Sequence, residues 1–136
     1  VVYDERPEAV RPEDFPTALA VVQGEFSGLS AHIRLTAADY AVVMTPGHCA
    51  DLAVVRQVLA WGPSYVGCMG SRKKRTFLRT ALAEAGFSPE QIDAVHLPIG
   101  LEIGARTPAE IAVSVAAELI AHRAALRGGG SGPCPA

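Results

Sequence analysis

The sequence predicts an α/β fold in which a parallel sheet is covered by helices on both faces. Two apolar runs, Tyr40–Met44 and Ser64–Met69, continue without alternation, as strands buried on both faces do. Between them lies an amphipathic helical pattern long enough for a right-handed crossover, so the two strands are adjacent and parallel. Aromatic residues make up 6% of the chain against 49% hydrophobic, so Val, Leu, Ile and Ala must build the core.

The 136 residues match one domain in length, enough to bury roughly two-thirds of the unfolded surface. A formal charge of −2 with so many apolar residues excludes intrinsic disorder and argues against a general nucleic-acid binder. No apolar run approaches the ~20 residues of a bilayer span. No secretory signal pattern precedes Val1. The chain opens inside an apolar stretch and reads as a piece of something longer. Cys49, Cys68 and Cys134 share no CxxC spacing. Reduced thiols in a cytoplasm are the simplest reading, with no disulfide framework and no zinc site.

Val1–Tyr3 reads as the end of a strand that runs into a loop at Asp4, and the proline- and charge-rich stretch to Pro16 predicts no regular element. Ala18–Val22 is a short strand. Residues 25–33 fit one or two helical turns. After Tyr40–Met44, Asp51 is placed as the N-cap of a helix through Leu52, Val55 and Leu59 that ends at Gly62-Pro63. Ser64–Met69 follows as a strand ending at Gly70-Ser71. A helix over 73–85 carries Phe77, Leu78, Ala81, Leu82 and Ala85 as its apolar stripe and stops at Gly86. Ser88-Pro89-Glu90-Gln91 is a helix start with a capping-box pattern, and Thr107-Pro108-Ala109-Glu110 repeats the signal. From there a helix runs to about Arg123. Its polar residues Glu110, Ser114, Glu118 and His122 form a single stripe, which predicts that the sheet or another subunit covers most of it. The domain is placed at 1–123, and 124–136, ending in GGGSGPCPA, is expected to be a flexible tail.

Three stretches can carry chemistry. Tyr65–Arg75 is a strand, a Gly70-Ser71 turn and a helix start with four consecutive basic residues. Arg79 brings the basic residues in this segment to five of the chain's twelve. Cations in a first helical turn oppose the helix dipole, and an anion there offsets the cost. The alternative is a solvated basic face. Thr45–Asp51 lies at the carboxyl end of a buried strand, where α/β folds place ligands. It offers His48 as a polar ligand contact, whereas adjacency of His48, Cys49 and Asp51 in sequence does not make a catalytic triad. The apolar loop His96–Pro108, with two glycines and Pro98, can line a pocket or an interface. Asp4 at a strand end is where a dinucleotide fold binds a ribose, although no G-x-G-x-x-G precedes it.

Two of these stretches together, Tyr65–Lys74 and Val95–Ala112, make the sequence resemble the C-terminal Rossmann-like domain of the XdhC/CoxI family, accessory proteins of molybdenum hydroxylases. Thr45-x-Gly47-His48-x-x-Asp51 looks like a third motif of that family, and the resemblance covers about residues 1–123. It implies a three-layer Rossmann-like sheet. Since Val1–Asp4 matches the second strand, the first strand and its Gly-rich turn are not in the chain. The family's N-terminal domain, with its cofactor-linked cysteine, is not in it either, and position 46 is Pro where relatives often carry a basic or polar residue.

The resemblance further implies that the domain binds the molybdenum cofactor, a pterin with a phosphate and a dithiolene, or else a dinucleotide. It binds rather than uses this cofactor, as a maturation chaperone more than an enzyme. The residues expected at the cofactor are Asp4, Gly47, His48, Gly70, Ser71, Arg72, Lys73, His96 and Gly100, with no catalytic residue and no metal ligand. The implied partners are an apo-molybdenum hydroxylase, a cysteine desulfurase and a second copy of the chain. The competing readings are an NAD(P)-binding oxidoreductase domain, against which the absent Gly-rich fingerprint counts, and a structural or dimerisation module that binds nothing.

Overall fold

The structure is a computed structural model and describes residues 1–128. Five strands, β1 (Val2–Asp4), β2 (Val21–Gln23), β3 (Tyr40–Val43), β4 (Tyr65–Cys68) and β5 (Val95–His96), alternate with helical segments. The helices are α1 (His48–Trp61), α2 (Arg72–Glu84), α3 (Pro89–Asp93) and α4 (Pro108–Gly128). Among the described residues the strands form two parallel sheets. One pairs β1 with β2; the other has the order β3-β4-β5. Tyr40 pairs with Tyr65 and Val43 with Cys68, so the two apolar runs are adjacent and parallel. No strand pairing joins the two sheets among the described residues.

Alternation along β3 and β4 sorts the layers. Ala41, Val43, Val66 and Cys68 point into one cluster with Val54, Val55, Val58 and Leu59 of α1 and Leu78 and Leu82 of α2. Each of the valine and leucine side chains among these, once fully buried, stabilises the fold by about 1.5–3 kcal/mol. Tyr65, one residue out of phase, faces α4 instead. Helices on both faces of a parallel sheet make the three-layer α/β architecture.

Several elements differ from expectation in ways that have physical causes. β2 sits at Val21–Gln23 rather than 18–22. The stretch from Asp4 to Pro16 holds two short 3₁₀ turns, Pro7–Ala9 and Pro12–Asp14, each opened by proline, whose fixed φ suits a first helical position. The 25–33 region is a 3₁₀ segment, Phe26–Ala31. α1 starts at His48, with Gly47 in the capping position and no side-chain cap. Asp51 is therefore not the N-cap; it lies in the first turn, fully buried, because its carboxylate turns inward to Lys74. The α3 start is a capping box between Ser88 and Gln91. α4 continues to Gly128, so 124–128 are helical, and the remainder of the expected tail lies outside the described residues.

The largest correction concerns α4. Three members of its polar stripe, Ser114, Glu118 and His122, face the body of the domain. The fourth, Glu110, accepts from the Arg106 and Thr107 amides at the exposed helix start, and the side carrying Val113 and Ile120 is left open. Ser114 is buried, whereas Val113, Ile120 and Leu126 are each more than half exposed. The surface it meets is polar: the Tyr65 hydroxyl, the His96 ring and the backbone of the 99–101 loop. Only polar side chains can satisfy those groups when buried.

Candidate functional site

The sheet carries a cleft of about 710 Å³ outside the carboxyl ends of β4 and β5. One wall is the Gly70 turn with Arg72 and Arg75. The other is the loop from Pro98 to Ala105, closed at its base by Ile111 and Ser114 of α4. The turn is shaped by Lys74, whose stem passes so close to Gly70 that a Cβ there would lie 2.3 Å from Lys74 Cδ. Ser71 caps α2, its Oγ accepting from the Lys74 amide at 3.4 Å. The following amides belong to a 13-residue helix, and their free N–H groups and the helix dipole favour negative charge.

The basic cluster divides in space. Arg72 and Arg75 line the cleft. Lys73 is exposed and outside its lining. Lys74 is buried against Asp51. Arg79 reaches away to Asp93 at 2.6 Å. Across the mouth, Arg72 approaches Glu102 at 3.8 Å, both side chains fully open to water.

The apolar wall is held by α4. The Gly100 amide donates to Glu118 Oε2 at 2.7 Å, the Ser114 hydroxyl donates to the Leu101 carbonyl at 2.9 Å, and the Leu101 amide donates back to Ser114 O at 3.3 Å. Gly100 has φ +96°, and a Cβ there would meet Ser114 Oγ at 2.2 Å, so both conformation and space require glycine. The Leu97–Pro98 peptide that opens this loop is cis.

Three of the nine expected residues, Gly70, Arg72 and Gly100, come together at the cleft, with Ser71 immediately beside it as the helix cap. Lys73 is on the open side of α2. His96 is drawn into a separate network: its Nδ1 lies 3.1 Å from Glu118 Oε1 and its ring stacks on Tyr65 at 4.5 Å. Gly47 and His48 form the β3–α1 turn, where the His48 ring packs on Phe77 of α2, centroids 6.0 Å apart. Asp4 ends β1. Its carboxylate accepts from the Arg6 amide, Nε and Nη2, each at 2.9 Å. The Arg6 hydrogen bonds outweigh partial burial and hold the Asp4 carboxyl below its ordinary value.

Arg75 was not among the expected ligands, although its position three residues after Arg72 puts both on one helix face. The sequence marks Glu118 as part of the α4 stripe, Asp51 as a motif residue and Lys74 as one of four cations, but not their partnerships, because the partners lie far away in sequence. Burial pushes the Glu118 carboxyl up, but donation from Tyr65, Gly100 and His96 prevails and leaves it below the ordinary glutamate value. Burial, reinforced by the Asp51 charge, pushes the Cys68 thiol up to about 12, so it is no thiolate near neutrality.

A parallel sheet with an anion-favouring glycine turn and a cleft at its carboxyl end defines a Rossmann-type domain. More narrowly, the chain belongs to the XdhC Rossmann domain family, whose pattern matches residues 1–119. It is 31% identical over 123 residues to a probable xanthine dehydrogenase component of Bacillus subtilis, covering 90% of this chain and 35% of that protein. It is 30% identical over 116 residues to YqeB, an uncharacterized protein of Escherichia coli, covering 83% of this chain and 21% of YqeB. The crystal structure of a xanthine dehydrogenase from Bacillus halodurans superposes with a TM-score of 0.81 at 25% identity, covering 96% of this chain and 38% of that one. The chain thus spans roughly a fifth to two-fifths of the length of these relatives.

Proposed function

We propose that this domain is an accessory module for a molybdenum hydroxylase of the xanthine dehydrogenase type, with a cleft that binds the phosphate-bearing end of the molybdenum cofactor. The observation that carries this reading is one cleft that joins the Gly70 turn, Arg72 and Arg75 to the apolar wall Pro98–Ala105. Membership of the XdhC Rossmann domain family supports it, as do the xanthine dehydrogenase names of two relatives.

The residues present fit the phosphate end of such a group. Two guanidiniums offer bidentate hydrogen bonds to phosphate oxygens, and the apolar wall suits a planar ring. Cys49 is exposed on α1 and Cys68 is buried, and neither lines the cleft. The cleft therefore binds and orients, while the cofactor, when bound, supplies the redox metal that the hydroxylase uses. In this reading the cofactor is sheltered, sulfurated by a cysteine desulfurase and passed to the apo-hydroxylase in the cytoplasm. No helix among the described residues is long and apolar enough to cross a membrane. The open face of α4 is the surface for a second copy.

The test is retention of ligand. The purified protein is incubated with the pterin cofactor or with NADH, desalted, and its absorbance recorded. Retention of the pterin alone supports the reading. Retention of NADH alone transfers the domain to the dinucleotide-binding oxidoreductases, a reading weakened by the Arg6 hold on Asp4. Retention of neither leaves a structural module.

A further inference from the structure

The β3–α1 turn and the β4–α2 turn are joined by a buried chain of polar contacts. The Thr45 hydroxyl donates to Asp51 Oδ1 at 2.7 Å. Asp51 Oδ2 pairs with the Lys74 ammonium. Lys74 Nζ in turn donates to the Met69 carbonyl, the residue before Gly70. Asp51 is fully buried and Lys74 is 8% exposed. The stem of Lys74 fills the space a Gly70 side chain would need. Lys74 thus stands in the middle of a basic run without offering its charge to the cleft.

A buried ion pair costs more in desolvation than a well-packed apolar pair of the same shape. Its geometry here gives a reason for keeping it. Each member bonds to the other and to one of the two turns, so neither turn can shift without stretching the pair. From this we infer that Asp51 and Lys74 are positioning residues that couple the His48 turn to the Gly70 turn, so that an anion captured at Gly70 also orders the loop carrying His48. The inference rests on the reading of the cleft as an anion site, and it adds that the two loops respond as one.

Inorganic pyrophosphate is the probe. Binding is measured by calorimetry at two salt concentrations, and amide hydrogen exchange is followed with and without the probe. In the unaltered protein, pyrophosphate should slow exchange at Gly70–Arg72 and also at Thr45–His48. Lys74→Met alone leaves Asp51 charged and unpaired and can unfold the chain, so the informative variant is Asp51→Asn with Lys74→Met, which removes both charges. In that variant pyrophosphate affinity should fall about tenfold, and the linked slowing at Thr45–His48 should disappear. The dependence on salt should stay unchanged, because no ligand-facing charge is lost; Arg72→Met, which does lose one, should flatten it. Unchanged affinity with the linked slowing intact overturns the inference. So does a flattened salt dependence in the double variant, which would make Lys74 a ligand contact. If the unaltered protein does not bind pyrophosphate, the anion reading of the cleft fails. The pair is then judged without ligand: faster exchange at both turns in the double variant sustains the coupling, and unchanged exchange rejects it.

Discussion

The Tyr65 hydroxyl donates a 2.6 Å hydrogen bond to Glu118 Oε2 across 53 residues of sequence. Tyr65 is almost fully buried at the start of β4, and Glu118 lies midway along α4. The same carboxylate accepts from the Gly100 amide and lies against the His96 ring. One carboxylate therefore fixes the last helix to the sheet and the cleft loop to the helix. Around it, His122 sits 3.3 Å from Ser64 Oγ and turns its ring edge to Tyr40 and Tyr65. The conformation of the cleft's apolar wall is thus set by a network on the far side of that wall.

The first prediction follows from that carboxylate. Glu118 titrates below its ordinary value of 4.5 because its hydrogen bonds to the charged form outweigh burial. A group depressed in the folded state stabilises the fold above its unfolded pKa and loses that contribution as pH falls through the folded value. Glu118→Gln should lower stability near neutrality by roughly 1–3 kcal/mol. The gap between variant and unaltered protein should narrow as pH drops below the ordinary glutamate range. Urea midpoints measured at about pH 7 and about pH 3.5 check it. A gap of the same size at both values would show that charge on Glu118 is not what matters.

The second concerns the arginines. Arg72→Glu with Arg75→Glu should reduce pyrophosphate affinity by more than about tenfold and flatten its salt dependence. Arg79→Gln, whose guanidinium is already committed to Asp93, should leave affinity within about twofold. Lys73→Gln should fall between them, acting through charge at a distance. Equal losses at Arg72, Lys73 and Arg79 would mean a diffuse basic face in place of a cleft.

How much of this was legible in the sequence depends on the range of the interaction. β3 and β4 were plain as strands because an apolar run is a local property, although only β4 is buried on both faces and Val42 of β3 is 37% exposed. The α3 start was plain for the same reason: Ser88, Pro89 and Gln91 are their own partners. The role of Lys74 was not legible, since the sequence RKKR gives four equal cations and only the position of Asp51 on a different helix selects one. The stripe on α4 was legible as a pattern but misleading in sense. Polarity every fourth residue ordinarily marks the solvent side, and only the hydroxyl of Tyr65 and the ring of His96 make it the inner side here. The site was half-legible for a related reason. Gly70 and Arg72 are close in sequence, whereas the wall opposite them is delivered by hydrogen bonds from α4.

A third prediction uses Glu102. Its carboxylate lies across the mouth of the cleft from Arg72, so an entering anion meets both a repelling charge and a competitor for the guanidinium. Both groups are open to water, where such pairs are weak and screened. Glu102→Gln should therefore tighten pyrophosphate binding about two- to fivefold at low ionic strength and by less near 0.5 M salt. Titration calorimetry at both ionic strengths reads this directly, and an unchanged affinity at low salt would remove Glu102 from the site.

A fourth separates the thiols. Cys49 is exposed at the start of α1, and Cys68 is buried with its thiol pushed up to about 12. Thiol reagents at neutral pH should modify Cys49 quickly and reach Cys68 only on unfolding. Peptide mapping after brief labelling distinguishes them. Rapid modification of Cys68 in the folded protein would mean that the β4–α1 core opens readily.

The last prediction concerns the open side of α4. Val113 and Ile120 are 62% and 56% exposed, on the face turned away from the stripe of Ser114, Glu118 and His122. Seven residues separate them, two helical turns, so they form one ridge with Ala116 and Ala117 between them. Exposing such a ridge is unfavourable, and a two-fold partner presenting the same ridge is the commonest way for a chain to cover it. Packing two such helices is helped by the alanines, which let backbones approach closely. We expect concentration-dependent dimerisation through α4, and Val113→Glu with Ile120→Glu should abolish it without unfolding the domain, because neither side chain supports the core. Sedimentation velocity across a hundredfold range of concentration tests both statements. A monomer at every concentration would show that the ridge is reserved for a different surface, and a dimer untouched by the double variant would place the interface elsewhere.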